Sequence, residues 1–512
     1  MAASLRGRPA AAAVTSLGRV KEAEDHRVQS LPGLRAHDLV HYAGHVEIDT
    51  SRDANIFYWL FESTSKAKDV PIIIWLNGGP GCSSMIGQFI EVGPLGLTEK
   101  GDMTLNKHAW SKVGHLLFID QPVGTGYSFT SNGGHCKNDH ECNRDFYLFM
   151  INFFKLHHRF MTRNDKGGFT TRRIILTGES HAGHVIPCFT KFVIEKNAEG
   201  ALNQIVLNID SVAIGNGWID PLEQYDVAEY SHSMGLITTQ QKDSMLVKKK
   251  HCQSSLIKGQ LNSRLCYRLL DDVIDMTRKG DRKRALIYDI RERVVSDAFF
   301  PPGHKQFESY LNRADVKSAL HVNRVNHRFG QCLDAPYFAL KHQDGKGVTE
   351  ELAFILNHNV KVVLFTGQYD MICNYMSLDA SISKLKWSGS AKWNDASLHR
   401  WGSDGWIKSS GPLSSIVYSN AGHMVAMDQR QSTLNMMKTI VDREKFTQGK
   451  MASMTELRGK MQSRRLDTTT PTVVVASPTA SFLATPSFTI TGSLLVCMLM
   501  LLAYRRISGK LG

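Results

Sequence analysis

From Arg173 to His184 the chain reads RIILTGESHAGH: a buried-type apolar run ends in glycine, a serine between polar neighbours, and small residues. Apolar positions resume at Val185 and Ile186. This is how a strand hands over to a helix through a tight turn carrying a nucleophile. Gly178, Ala182 and Gly183 are small enough to let the turn close, so the Ser180 hydroxyl stands exposed above the sheet edge. The spelling departs from strict G-x-S-x-G, because Ala182 occupies the second glycine position and Gly183 follows. Alone, such a short pattern is common, and the rest of the chain decides its meaning.

Strong apolar runs recur at 71–76, 116–119, 173–176, 360–365 and 416–418, and helix-like stretches separate several of them, at 146–160, 185–195 and 314–321. Strands alternating with helices imply a largely parallel sheet covered on both faces. Two earlier stretches, 41–48 and 55–61, alternate like antiparallel strands. Between 221 and 308 the chain becomes polar, basic and helix-like, which reads as a cap inserted on the sheet.

The net charge of +13 is concentrated at Lys248–Lys250, in the run from Arg278 to Arg284 and across 443–465. No zinc-finger spacing, RNA-binding motif or phosphate loop accompanies these runs, so they read as solvated faces and tails, and nucleic acid is excluded as a partner. The nine cysteines contain no C-x-x-C pair, which argues against zinc or a redox couple. No metal and no cofactor is expected. A secretory-pathway chain would pair several of these cysteines.

The stretch that begins at Phe488 and ends at Tyr504 (FTITGSLLVCMLMLLAY) is uncharged, and Arg505 and Arg506 follow at once. Its length is at the lower limit for crossing a bilayer. We expect a transmembrane helix, with the short tail 505–512 cytosolic and the bulk of the chain luminal or outside. Residues 446–487 are basic and then rich in Ser, Thr and Pro, the composition of a stalk. Residues 1–27 read as a disordered or processed leader with a marginal signal, and there is no N-x-S/T sequon. The core is expected in two parts, 28–220 and 309–445, around the cap.

Three further stretches bear chemistry. WLNGGPGCSSM (75–85) places adjacent glycines at a strand end, where backbone N–H groups can face a ligand. VLFTGQYD (363–370) ends a strand on an acid, and SNAGHMV (419–425) places a histidine on a loop of small residues. Asp370 alone would be a helix cap and His423 a surface residue. Together with Ser180 they give the order Ser, Asp, His, each at the end of a strand, and in a parallel sheet those ends converge on one rim.

Taken with IEVGP (90–94), FIDQPVGTGYSF (118–129), IGNGWIDP (214–221), YDIR (288–291), YLNRADVKSALHV (310–322), GQYDMICN (367–374) and the DQ at 428–429, the chain resembles the serine carboxypeptidases from about Leu31 to Gln429. The apolar C-terminal stretch and the CSSM spelling resemble the membrane-anchored, prohormone-processing branch. The resemblance implies an α/β-hydrolase fold and release of C-terminal residues from peptides and proteins in an acidic secretory, Golgi, vacuolar or lysosomal compartment. It makes Ser180 the nucleophile, His423 the general base and Asp370 its orienting acid, with the Gly79 and His181 N–H groups as oxyanion hole. Substrate carboxylate binding falls to Asn77, Glu91 and Glu179, braced by Trp75. Two facing acids should share a proton, so kcat/KM should fall at high pH. The same resemblance pairs Cys82 with Cys332 and Cys252 with Cys266, and leaves Cys373 a free thiol near the active site.

The chain departs from the pattern at His181, where the family carries tyrosine; histidine would make the adjoining pocket more polar and its charge pH-dependent. Ala426 stands where a proline is expected. An acyltransferase or lyase on the same scaffold is the alternative, and intact Glu91 and Glu179 argue for peptide carboxylates instead. A catalytically inactive luminal binding protein is disfavoured by the complete Ser–Asp–His set. Oligomeric state is not readable from the chain.

Overall fold

The computed structural model describes residues 22–446, apart from 35–38, 132, 201–203, 279–282, 296–302 and 323–326. The stalk, the apolar stretch 488–504 and the tail therefore lie outside the described residues, as do parts of the basic run after Arg278 and residues 1–21 of the leader. Among the described residues no helix is long and apolar enough to cross a membrane.

One ten-stranded sheet organises the chain. Its strands are β1 (His41–Asp49), β2 (Ala54–Phe61), β3 (Ile72–Leu76), β4 (His115–Ile119), β5 (Ile174–Glu179) and β6 (Ile209–Gly215) from the first part of the chain. A separate hairpin, β7 (Arg284–Leu286) and β8 (Asp289–Val294), interrupts before β9 (Lys361–Gly367), β10 (Leu398–Trp401), β11 (Gly405–Ser410) and β12 (Leu413–Tyr418) complete the sheet. The order across it is β1-β2-β4-β3-β5-β6-β9-β12-β11-β10. From β4 to β12 neighbouring strands run parallel. Antiparallel pairs close both edges, β1 with β2 and β10 with β11.

The central strands alternate strictly across the sheet, as successive side chains of a strand must. Ile72, Ile74, Leu76, Ile174, Leu176, Val362 and Leu364 enter one core, against helices α1 (Asp139–Leu156) and α2 (Ala182–Glu199). Ile73, Trp75, Leu116, Phe118, Ile175, Val363 and Phe365 enter the other. Both faces being apolar explains the uninterrupted Ile72–Leu76 run and requires helices on each side. Helices α3 (Thr239–Ile257) and α4 (Arg264–Met276) lie in the segment read as a cap. Their buried residues, Met245, Leu256, Leu269 and Val273, share a third, smaller core with Tyr225, Tyr230 and Met371.

Order begins earlier than expected. A 3-10 turn at Ala23–His26 buries His26, whose Nδ1 lies 2.9 Å from the Tyr58 hydroxyl. The ring occupies the space above Gly44, where a Cβ would come within 2.6 Å of it. Disulfides join Cys82 to Cys332, Cys252 to Cys266 and Cys136 to Cys142; the last pair was not expected. Cys188 and Cys373 are free and buried.

Candidate active site

Strand β5 ends at Glu179 and α2 begins at Ala182, so Ser180 and His181 make the turn. Ser180 has φ +59°, a left-handed conformation that a serine keeps only when its surroundings fix it. Three backbone bonds do so. Its N–H donates to the Gly215 carbonyl at 3.0 Å, and its own carbonyl accepts from Gly183 and Trp218 N–H, each at 2.8 Å. Helix α2 reaches that loop because Gly183 carries no side chain; a Cβ there would sit 2.7 Å from Gly217 Cα.

β9 delivers Asp370 and β12 delivers His423. Asp370 is fully buried, and its Oδ2 lies 2.7 Å from His423 Nδ1. Asn216 Nδ2 donates to the same oxygen at 2.6 Å, while Ile372 and Cys373 N–H donate to Oδ1. Those donors hold the carboxylate in one plane, so His423 presents Nδ1–H to it and leaves Nε2 free on the far side of the ring. Burial alone would lower the His423 pKa; the Asp370 charge and hydrogen bond outweigh it, and the net shift is upward.

Gly78 lies against the serine turn, where a Cβ would be 2.6 Å from His181 N and 2.7 Å from Ser180 Cβ. Gly79 follows this close approach in the chain, and the His181 N–H stands at the start of α2, where helix N–H groups lack intrahelical acceptors. Two N–H groups so placed can receive an oxyanion.

Next to them is a buried cluster of acids. Trp75 Nε1 and Gly87 N–H both donate to Asn77 Oδ1, at 2.8 and 3.0 Å, which fixes the amide so that its Nδ2 faces Glu179 Oε1 at 2.8 Å. Glu91 ends a π-helical turn, Gly87–Glu91, and its buried carboxyl makes no well-formed hydrogen bond, although Glu179 and Asn77 lie within interaction range. Burial raises its pKa to about 8, against smaller opposing effects from Glu179 and from the nearby Arg430. Glu179 is raised well above the usual carboxylate range, again by burial first and then by Glu91. Burial thus displaces both carboxyls toward the protonated form, and Glu179 Oε1 is engaged by Asn77 Nδ2.

A sequence model of the serine carboxypeptidase family matches residues 32–443. The chain belongs to this family. Among relatives, a pheromone-processing carboxypeptidase KEX1 of Phytophthora infestans is 32% identical over 435 residues, covering 83% of this chain and 73% of its own. Serine carboxypeptidase-like 47 of Arabidopsis thaliana is 32% identical, covering 79% of each chain. The crystal structure of Kex1(delta)p, a prohormone-processing carboxypeptidase from Saccharomyces cerevisiae, superposes with a TM-score of 0.73 at 26% identity, over 83% of this chain and 97% of that one. The protein is a serine-type carboxypeptidase with an α/β-hydrolase-type fold.

Two features of this carboxypeptidase differ from the expectations or add to them. The His181 ring stacks on His184 at 5.2 Å, and His184 Nε2 lies 2.9 Å from Asp139 Oδ1. Desolvation, and then His184, lower the His181 pKa and so oppose the charged form of the ring. Asn216, Tyr288, Arg291 and Asp428 also surround the site. Each lies in a motif that carries the family resemblance, yet nothing in the local sequence gives it a role. A cavity of about 760 Å³ opens beside His423, lined by Tyr288, Arg291, Gly303, Met424 and Asp428 among others.

Proposed function

We propose that Ser180 attacks the carbonyl of the last peptide bond while His423 takes its proton and passes it to the leaving amine. Asp370 holds the imidazole in the required tautomer and stabilises its charged form. The Gly79 and His181 N–H groups receive the oxyanion, and water then hydrolyses the acyl-enzyme on Ser180. Asn77, Glu91 and Glu179 bind the substrate's terminal carboxylate, with Trp75 keeping Asn77 turned toward it. Protonated carboxyls can donate to that carboxylate, whereas an ionised pair would repel it. The leaving residue's side chain enters the cavity beside His423, and residues 221–308 act as a cap that shapes specificity.

One observation carries this reading: two buried acids, with no cation paired to either carboxyl among the described residues, stand beside an Asp–His pair. Acyl transfer to another acceptor would need the serine, the Asp–His pair and the oxyanion donors, but not the two acids. Neutral buried acids are useful where the substrate brings its own negative charge. The natural substrates on this reading are peptide precursors trimmed at their C-termini; the KEX1 relatives are named pheromone-processing carboxypeptidases.

The test uses the protein and its Ser180→Ala variant on a mixed peptide library, with products read by mass spectrometry. Stepwise loss of C-terminal residues by the wild type alone supports the assignment. Equal trimming by the variant refutes it.

We also propose that the enzyme is tethered in the secretory or endomembrane system with its catalytic part luminal. Three disulfides suit an oxidising compartment. The apolar stretch 488–504, followed by Arg505 and Arg506, has the composition of an anchor. Alkaline carbonate should leave the full chain in the membrane pellet and release a chain deleted from 488 onward; release of both would remove the anchor from the proposal.

A further inference from the structure

The hairpin β7–β8 touches both loops that carry the Asp–His pair. The Ile287 carbonyl accepts from Met371 N–H at 2.9 Å, and Ile290 N–H donates to Tyr369 O at 3.0 Å, which grips the loop of Asp370. The Tyr288 carbonyl accepts from His423 N–H at 2.8 Å, and its ring meets the imidazole edge-on at 5.0 Å.

Arg291, three residues farther along, adds a second grip on the histidine loop. Its Nε donates to Asp289 Oδ1 at 2.9 Å, its Nη1 to the Asn420 carbonyl at 2.9 Å and its Nη2 to Asp428 Oδ2 at 2.8 Å. The guanidinium also lies over the Tyr369 ring, 5.1 Å from its centroid. Asp428 Oδ2 in turn accepts from Gly422 N–H at 2.8 Å. The turn 420–422, immediately before His423, is therefore held at one end through its carbonyl and at the other through its N–H, and both lead to one guanidinium.

We propose that Arg291 is a positioning residue for catalysis: from a hairpin outside the main sheet, it fixes the 420–422 turn so that His423 meets Asp370 and the leaving amine. This rests on the reading of His423 as general base. The planar fork of arginine suits the role, since it directs several N–H groups at fixed angles, which lysine cannot do. The Arg291 side chain is 36% exposed and its partner Asp428 17%, so the pair is partly screened by solvent, and the thermal midpoint separates a loss of rate from a loss of stability. Rate is more sensitive, because a displacement of about 1 Å in a catalytic group can cost roughly a hundredfold.

The experiment compares Arg291→Gln, Arg291→Lys, Asp428→Asn and His423→Ala. It measures kcat and KM on a peptide, the rate of Ser180 labelling by a fluorophosphonate, and the thermal midpoint. Arg291→Gln is expected to lower kcat and the labelling rate together, by about 10- to 100-fold, with KM and the midpoint nearly unchanged. Arg291→Lys should recover part of the loss. Wild-type kcat and labelling in Arg291→Gln would overturn the proposal, as would a loss matched by a lowered midpoint or by raised KM alone. If Arg291→Gln fails to fold, Asp428→Asn must show the same fall in kcat, and normal kcat there overturns the proposal. An active His423→Ala would instead overturn the assignment of the base.

Discussion

At Glu91, burial without a paired cation raises the carboxyl to about 8, and Glu179 moves in the same direction for the same cause. If protonated carboxyls bind the substrate, kcat/KM for peptides falls as pH rises through about 8. Hydrolysis of an analogue amidated at its C-terminus should show no such fall. Glu91→Gln, a neutral donor of similar shape, should lose the alkaline limb; an unchanged limb would show that another group causes it. On the acid side, the upward shift of His423 places loss of activity above the usual histidine midpoint, as protonation removes the base. The same acids affect stability. Glu91 binds its proton more tightly folded than unfolded, so its contribution is complete at low pH and is lost as pH rises through the folded pKa. The difference in thermal midpoint between the wild type and Glu91→Gln should therefore shift against the wild type as pH rises from about 5 to about 9, and a difference independent of pH would remove Glu91 as the cause. Cys373 offers a separate test. Its thiol is buried, with Sγ, an Asp370 oxygen and a His423 nitrogen all within 4.8 Å of one another, and burial followed by the Asp370 charge holds its pKa well up. An organomercurial should inhibit while iodoacetate, which needs the thiolate, reacts slowly. Cys373→Ala should stay active and become insensitive to mercury, and persistent inhibition would place the reactive group elsewhere.

Among the elements, the turn between β5 and α2 is the one most exposed to small changes. Gly183→Ala would press a methyl group onto Gly217 and Trp218, the loop that also holds the Ser180 carbonyl. Overpacking of this kind costs about 1–3 kcal/mol in stability. Because the displaced helix start carries the His181 N–H, we expect kcat to fall further than stability alone explains. Comparison of kcat with the unfolding midpoint checks this, and a proportionate loss would assign Gly183 a packing role only. The placement of Ser180, Asp370 and His423 after strand ends was legible because each follows an apolar run, short before His423 and longer before the other two. β6 was not legible, because IDSVAIG mixes polar and small residues, and only its neighbours β5 and β9 make it a buried central strand. Asn216 and Arg291 escaped for a related reason. Their partners Asp370 and Asp428 are remote in sequence, so their effect exists only after the sheet has formed.

Across the whole molecule, the disulfide Cys82–Cys332 joins residues 250 positions apart and ties the glycine loop after β3 to the second half of the chain. Backbone bonds flank it, from Ser83 N–H to Gln331 O and from Leu333 N–H to Gly81 O. Closing so long a loop restricts the unfolded chain by roughly 5 kcal/mol in the chain-entropy account. The double variant Cys82→Ser, Cys332→Ser should unfold at markedly lower denaturant concentration; an unchanged midpoint would mean the two bonds suffice. The order of the sheet has a further consequence, in time. A chain grows from its N-terminus, so the serine turn leaves the ribosome early, whereas Asp370 and His423 come on β9 and β12, much later. On the proposed roles, a half-made chain carries its serine without the partners that would activate it, and the cell building this enzyme holds no working protease until the strands bearing Asp370 and His423 have been synthesised.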